Sequence, residues 1–261
     1  MEVIIRDSQV MAQRLTAALL ADAIKAKPTL VLGLATGRTM EALYALLVAK
    51  HRDEGLDFSQ VTTFNLDEYI GLPADSPYSY RAYMNQHLFD KVNIDPANTH
   101  LPDGTAEDLD AASAHYEELI TEAGGIDLQL LGIGRSGHIG FNEPLSAMYS
   151  RTRPKALTPT TVAQNAPLFP NAEMMPRRAL TMGVGTILDA RRCIMLVVGE
   201  EKAQVLGKAV EGPVTSMISA TALQLHPKCT VICDQDAASH LSHREYYRWI
   251  FENEPEWQPY H

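Results

Sequence analysis

Ile126-Asp-Leu-Gln-Leu-Leu-Gly-Ile-Gly-Arg-Ser-Gly-His-Ile-Gly-Phe-Asn-Glu-Pro144 begins as a run of Ile and Leu and passes into a loop with four glycines, a histidine and a glutamate. An apolar run this short, with turn residues behind it, reads as a strand buried on both faces of a parallel sheet. The glycines let the backbone bend tightly and approach a ligand closely. Open α/β sheets bind small molecules outside the carboxyl ends of their strands. His138 and Glu143 are therefore the first candidates for chemistry.

Outward from this stretch, strand-like and helix-like patterns alternate along the chain. Strands are expected at 2–6, 29–34, 60–65 and 126–132, with helices at 8–26, 39–52, near 79–90 and near 106–123. Further strands are expected near 179–183, 192–198 and 229–234, helical patterns near 200–211 and 216–224, and a last helix near 241–252. This alternation predicts an α/β fold: a single-domain, open, mostly parallel sheet, doubly wound and Rossmann-like, with helices on both faces. The stretch from Pro154 to Pro176 departs from it, because its five prolines prevent a long regular helix. Leu157, Leu168, Phe169, Met174 and Met175 give it enough apolar content to read as a lid over about 154–176.

Composition narrows the function classes. With 261 residues, 46% hydrophobic and 21% charged, the chain is an ordinary globular protein. A net charge of −10 without a basic run argues against nucleic acid as a partner. Neither a signal peptide nor a membrane span is indicated at Met1-Glu-Val-Ile-Ile-Arg6, so the cytoplasm is the expected location and no membrane partner is expected. Cys193, Cys229 and Cys233 lie in strand-like runs and read as buried thiols. No histidine or cysteine spacing suggests a metal site.

Three further segments carry candidate chemistry. Val61 to Tyr69 is a strand ending in Asp67 and Glu68, and adjacent residues of an extended chain point to opposite faces, so only one of the two acids enters a given pocket. That acid suits proton abstraction, although an Asp-Glu pair at such a place reads equally as a helix cap. Leu32 to Met40 is a strand, a glycine turn and a helix start. Its backbone amides at Gly37, the hydroxyls of Thr36 and Thr39 and the Arg38 guanidinium suit a phosphate, while a plain helix start is the simpler reading. Leu196 to Lys202 repeats the strand-turn-helix pattern with Lys202 in the first turn, where a cation is unfavourable unless an anion sits nearby.

Phe64-Asn-Leu-Asp-Glu-Tyr-Ile-Gly71, Gly137-His-Ile-Gly-Phe-Asn-Glu-Pro144, Ser150-Arg-Thr-Arg153 and Leu180-Thr-Met-Gly-Val-Gly-Thr-Ile-Leu188, in this order, resemble the glucosamine-6-phosphate deaminase (isomerase) family over nearly the whole chain. The resemblance implies a phosphorylated amino sugar as substrate, with no metal or organic cofactor. It implies that His138, positioned by Glu143, opens the sugar ring, that Asp67 moves a proton from C2 to C1, and that Thr36 to Thr39 with Lys202 hold the phosphate. Ser136 stands where the family usually carries Asp or Asn beside the histidine. Pro167 stands at the family's lid arginine, and Arg38 is expected to supply the missing charge. Ser146, Arg153 and Lys155 match polar residues of an effector site for N-acetylglucosamine 6-phosphate, which in some members lies at the subunit interfaces of a homo-oligomer, while Ala156 replaces that site's threonine. The alternatives are 6-phosphogluconolactonase, galactosamine-6-phosphate deaminase and a sugar-phosphate-sensing domain.

Overall fold

The computed structural model describes residues 1–261. Its strands are β1 (Glu2–Arg6), β2 (Val31–Leu34), β3 (Thr62–Asn65), β4 (Asp67–Tyr69), β5 (Thr99–His100), β6 (Leu128–Leu131), β7 (Arg153–Ala156), β8 (Arg178–Thr181), β9 (Cys193–Val197) and β10 (Cys229–Asp234). Its α-helices are α1 (Gln9–Ala26), α2 (Arg38–Glu54), α3 (Tyr80–His87), α4 (Leu109–Glu122), α5 (Pro159–Asn165), α6 (Val184–Leu188), α7 (Ala203–Glu211) and α8 (Arg244–Asn253).

Seven strands form one sheet in the order β1-β10-β9-β6-β2-β3-β5, with every neighbouring pair parallel. Parallel strands need crossovers, and α1, α2, α4 and α7 supply them while burying the sheet faces. That double burial explains why β2, β6, β9 and β10 are buried at every position. The three cysteines are free thiols inside this core. From β2 the chain order proceeds through β3 to β5 on one side, while β6, β9 and β10 lie on the other. The order reverses between β2 and β6, which opens a crevice above their carboxyl ends.

Local chemistry sets the helix boundaries. Ser8 caps α1 by accepting from the Met11 amide at 3.3 Å, and Asp108 caps α4 through the Asp110 and Ala111 amides. Gly55 ends α2 with φ 70°.

Three expectations need correction. The strand near 179–183 is not a member of the main sheet: β8 pairs antiparallel with β4 and β7 in a separate three-stranded sheet. A short, mostly buried strand such as β8 looks the same in sequence whichever sheet it joins. The stretch 154–176 is not irregular throughout, since it begins within β7 and includes α5, which starts at Pro159 where a proline is tolerated. The pattern near 216–224 forms a 3-10 helix over Ser219–Leu225 rather than an α-helix. The short strands β4, β5 and β7 and the short helix α6 were not expected, being too brief to show a period.

The second sheet carries its own apolar cluster, in which Tyr69, Phe141, Leu157, Phe169, Met175 and Ala179 are buried together. Gly183, which links β8 to α6, lies against the backbone of Ser150, and a Cβ there would fall on the Ser150 carbonyl. Gly183→Ala should therefore cost about 1–3 kcal/mol through overpacking against main chain that cannot rotate away. Urea unfolding checks this, and an unchanged midpoint would contradict the packing described.

Candidate active site

The loops after β2, β3, β6 and β9 enclose a cavity of about 370 Å³. Asp67, His138, Thr36, Gly37, Arg38, Thr39 and Lys202 all line it, although they come from four separate strand exits. The parallel sheet brings them together because its strands deliver their carboxyl ends to one side.

Glu143 is 2% exposed and lies behind the cavity rather than on its wall. Its Oε2 is 3.0 Å from His138 Nδ1, and its Oε1 accepts from the Thr158 amide at 3.0 Å and the Thr158 hydroxyl at 3.1 Å. Burial alone would raise its pKa. The hydrogen bond and charge of His138, the Thr161 hydroxyl and the Thr158 amide outweigh burial and hold it at about 2. Glu143 is therefore an anion that accepts the Nδ1 proton, which leaves Nε2 as the nitrogen free to exchange protons. Ser136 Oγ lies 3.0 Å from the same Nδ1 and 3.5 Å from Glu143 Oε2, so the serine joins the pair as a neutral third member.

Asp67 is 6% exposed at the start of β4, where it pairs in register with Thr181. Burial, reinforced by the neighbouring Glu68 carboxylate, pushes its pKa up to about 8. Glu68 points away, as the alternation of an extended chain requires. Its carboxylate accepts from the amides of Tyr69, Tyr80 and Arg81 at 2.8–2.9 Å and so anchors the start of α3. The two adjacent acids thus divide into one that faces the cavity and one that fixes the scaffold. Gly140 beside it takes a left-handed conformation with φ 54°, and a Cβ there would press on Thr181 Oγ1 at 3.0 Å, the residue paired with Asp67.

At the other end, Gly37 takes φ 121° and presents the start of α2 to the cavity. Hydroxyls of Tyr44 and Tyr83 donate to the carbonyls of Ala35 and Gly37, at 2.5 Å and 2.8 Å, and hold the loop in place. Lys202 lies in a 3-10 turn before α7, and its Nζ donates to the Ile133 carbonyl at 2.9 Å. Burial lowers its pKa. Arg38 is exposed at the first position of α2.

The effector candidates lie elsewhere. Ser146 is buried with its hydroxyl donating to the Glu143 carbonyl at 2.7 Å, and Arg153 donates to Asn142 Oδ1 at 3.0 Å. Both touch the outer side of the loop whose inner side holds Glu143, and neither they nor the half-buried Lys155 line the cavity. Pro167 occupies a 3-10 turn between cavity-lining Asn165 and Leu168. His226 is structural, with ring nitrogens 2.7 Å from the Ala190 carbonyl and 3.0 Å from the Lys228 amide. No three His, Cys, Asp or Glu side chains come together in a way that could hold a metal.

Comparison with known proteins identifies the family and the fold. Residues 6–232 match the model for glucosamine-6-phosphate isomerases/6-phosphogluconolactonase. The chain belongs to that family. A glucosamine-6-phosphate deaminase of Hahella chejuensis is 50% identical over 96% of this chain and 95% of its own length. One from Pseudarthrobacter chlorophenolicus is 46% identical over 99% of both chains. Among solved structures, a monomeric glucosamine-6-phosphate deaminase superposes with TM-score 0.89 at 44% identity, over 92% of this chain and all of the other. The 6-phosphogluconolactonase of Trypanosoma cruzi, at TM-score 0.72 and 22% identity, shares the fold.

Sequence reasoning passed over several cavity residues. Arg135 was inside the opening stretch but was not singled out, because a lone arginine beside glycines has no fixed meaning in sequence. Tyr69, Tyr80, Tyr83, Gln164 and Asn165 also line the cavity and are visible only once α3 and α5 are placed.

The high pKa of Asp67 has a consequence for stability. Between roughly pH 4 and pH 8 the folded chain keeps a proton on Asp67 that the unfolded chain has released. Its contribution is thus complete at low pH and is lost as pH rises through the folded value. Asp67→Asn cannot ionise, so it should gain stability over the parent between pH 5 and pH 8, by more than about 1 kcal/mol. Denaturation midpoints at the two pH values decide it, and an equal gap at both would refute the assigned desolvation.

Proposed function

We propose that this chain is a glucosamine-6-phosphate deaminase, converting glucosamine 6-phosphate and water into fructose 6-phosphate and ammonia. One observation carries the reading: a desolvated carboxylate, Asp67, and a carboxylate-held imidazole, His138, line one cavity with a cationic mouth. Lactone hydrolysis needs no base at C2, whereas isomerisation does, and Asp67 is a base kept from water.

His138 takes the anomeric hydroxyl proton through Nε2 and returns a proton to the ring oxygen, which opens the pyranose. Glu143 holds the ring in the required tautomer, and Ser136 supports it with one hydrogen bond. Asp67 then removes the C2 proton and delivers it to C1, so the aldose becomes an enolamine and then a ketose imine. Water adds to the imine carbon and ammonia leaves. The phosphate rests on the amides and hydroxyls of Thr36 to Thr39 at the start of α2, with Arg38 and Lys202 supplying charge.

The segment 154–176 serves as a lid. Its residues Gln164, Asn165, Leu168 and Phe169 line the cavity, and Asn165 Nδ2 donates to the Tyr69 hydroxyl at 3.1 Å. The effector reading of Ser146, Arg153 and Lys155 rests on the family resemblance and places N-acetylglucosamine 6-phosphate on the outer side of the Glu143 loop. Sigmoidal kinetics made hyperbolic by that compound would support it, and hyperbolic kinetics indifferent to it would dismiss it, while the accompanying homo-oligomer is decided by the solution mass of the purified protein.

The catalytic assignment is tested by incubating purified protein with glucosamine 6-phosphate and measuring ammonia and fructose 6-phosphate. Asp67→Asn should lower kcat at least about 100-fold while the sugar phosphate still binds. In the parent, kcat/KM should rise with pH toward about 8, as the free Asp67 ionises. Hydrolysis of 6-phosphogluconolactone with no ammonia from the amino sugar would overturn the proposal.

A further inference from the structure

The resemblance leaves the lid without its arginine and points to Arg38 as the replacement, but the structure offers a second guanidinium. Arg135 lines the same cavity as Arg38 and Lys202 and occupies the turn that carries Ser136. The Gly137 amide donates to the Gly134 carbonyl at 2.9 Å, closing a β-turn with Arg135 and Ser136 at its two central positions. Ser136 is directed back onto His138 Nδ1. Arg135 is exposed on the cavity side, near enough to Lys202 for its charge to disfavour the lysine's own.

The charges around the cavity give Arg135 particular weight. Its cations are Arg38, Arg135 and Lys202, and its acids are Glu41, Glu201 and Asp67. Burial holds Asp67 toward its neutral form, which leaves Glu41 and Glu201 as the two carboxylates set against three cations. Glu41 lies one turn along α2 from Arg38, and Glu201 is next to Lys202 in sequence and favours its charged form. Arg135 has no carboxylate of this kind: Glu143, the nearest acid along its own loop, is occupied by His138 and Thr158. Arg38 and Arg135 are both absent from the chain's ion pairs. Without Arg135, the two remaining cations only balance Glu41 and Glu201, and nothing is left over to attract a dianion.

We infer that Arg135, acting beside Lys202 and Arg38, is a third cationic ligand of the substrate phosphate, a role that rests on the deaminase reading above. The same turn then places the phosphate charge and the histidine's serine partner, so binding of the phosphate and orientation of the imidazole share one piece of backbone. A guanidinium at the second position of a β-turn makes no packing contribution to the core, so its removal leaves the fold intact.

The test compares the parent with Arg135→Ala, Arg135→Lys, Arg135→Glu and Arg38→Ala. Arg135→Ala should raise KM for glucosamine 6-phosphate about tenfold, with a smaller change in kcat, and should weaken binding of inorganic phosphate measured by calorimetry. Arg135→Lys should restore much of the loss, Arg135→Glu should deepen it, and Arg38→Ala should raise KM less than Arg135→Ala does. KM of the parent should also climb more steeply with salt than that of Arg135→Ala. An unchanged KM and phosphate affinity in Arg135→Ala would overturn the inference, as would a fall in kcat alone, which would mark a role confined to the histidine turn. If the parent makes no ammonia, the deaminase reading fails on its own, and the phosphate titrations still decide the role of Arg135.

Discussion

Much of the site depends on the need to satisfy one buried carboxylate. Glu143 has almost no solvent to ionise into, yet it is held ionised because donors converge on it from two directions. His138 reaches it from the glycine loop after β6, and Thr158 reaches it from the root of the segment that covers the cavity. A charge this buried holds its partners in place, because losing any one leaves an uncompensated anion. The imidazole tautomer, the loop that holds Ser136 and the start of α5 are therefore fixed by one group.

Asp67 is set up in the opposite way. It sits at the junction of two sheets: the Leu66 amide donates to Leu34 of the parallel sheet, and the Met182 amide donates back to the Leu66 carbonyl. The chain leaves the main sheet at this residue and enters the small antiparallel one, so Asp67 is enclosed from both sides. No cation partners its carboxylate. Glu143 is stabilised as a charge and Asp67 is denied one, and this difference in environment divides the work between a group that orients and a group that moves protons.

The parallel frame was legible because β2, β6 and β9 are apolar runs that lead into glycine turns, because β10 is an apolar run that follows a His-Pro turn, and because α1, α2 and α4 are long enough to show a helical period. The antiparallel sheet was hidden for a physical reason. β4 spans Asp67–Tyr69 and β7 contains a proline, so neither shows an alternation, and β8 looks like any core strand. His138, Asp67 and Glu143 stood out as polar residues at strand exits, where packing alone has little use for them. Arg135 did not, since its meaning lies in which cations and acids surround the cavity, and that balance comes from four loops far apart in sequence.

The position of Thr158 links the lid to the chemistry more directly than the missing lid arginine does. An arginine on the lid would connect its closure to the phosphate at the far end of the cavity. Here the lid is connected at its root to Glu143, and through it to the imidazole, while Asn165 bonds to Tyr69 from the same segment. Pro167 restrains the chain between these contacts and the apolar anchor at Phe169, which packs on Tyr69 and Tyr78. With the lid fastened to the proton-transfer machinery, the phosphate charge is left to the rigid scaffold. The turn carrying Arg135 is part of that scaffold, since the Gly137 amide closes it onto the Gly134 carbonyl rather than onto a residue of the lid.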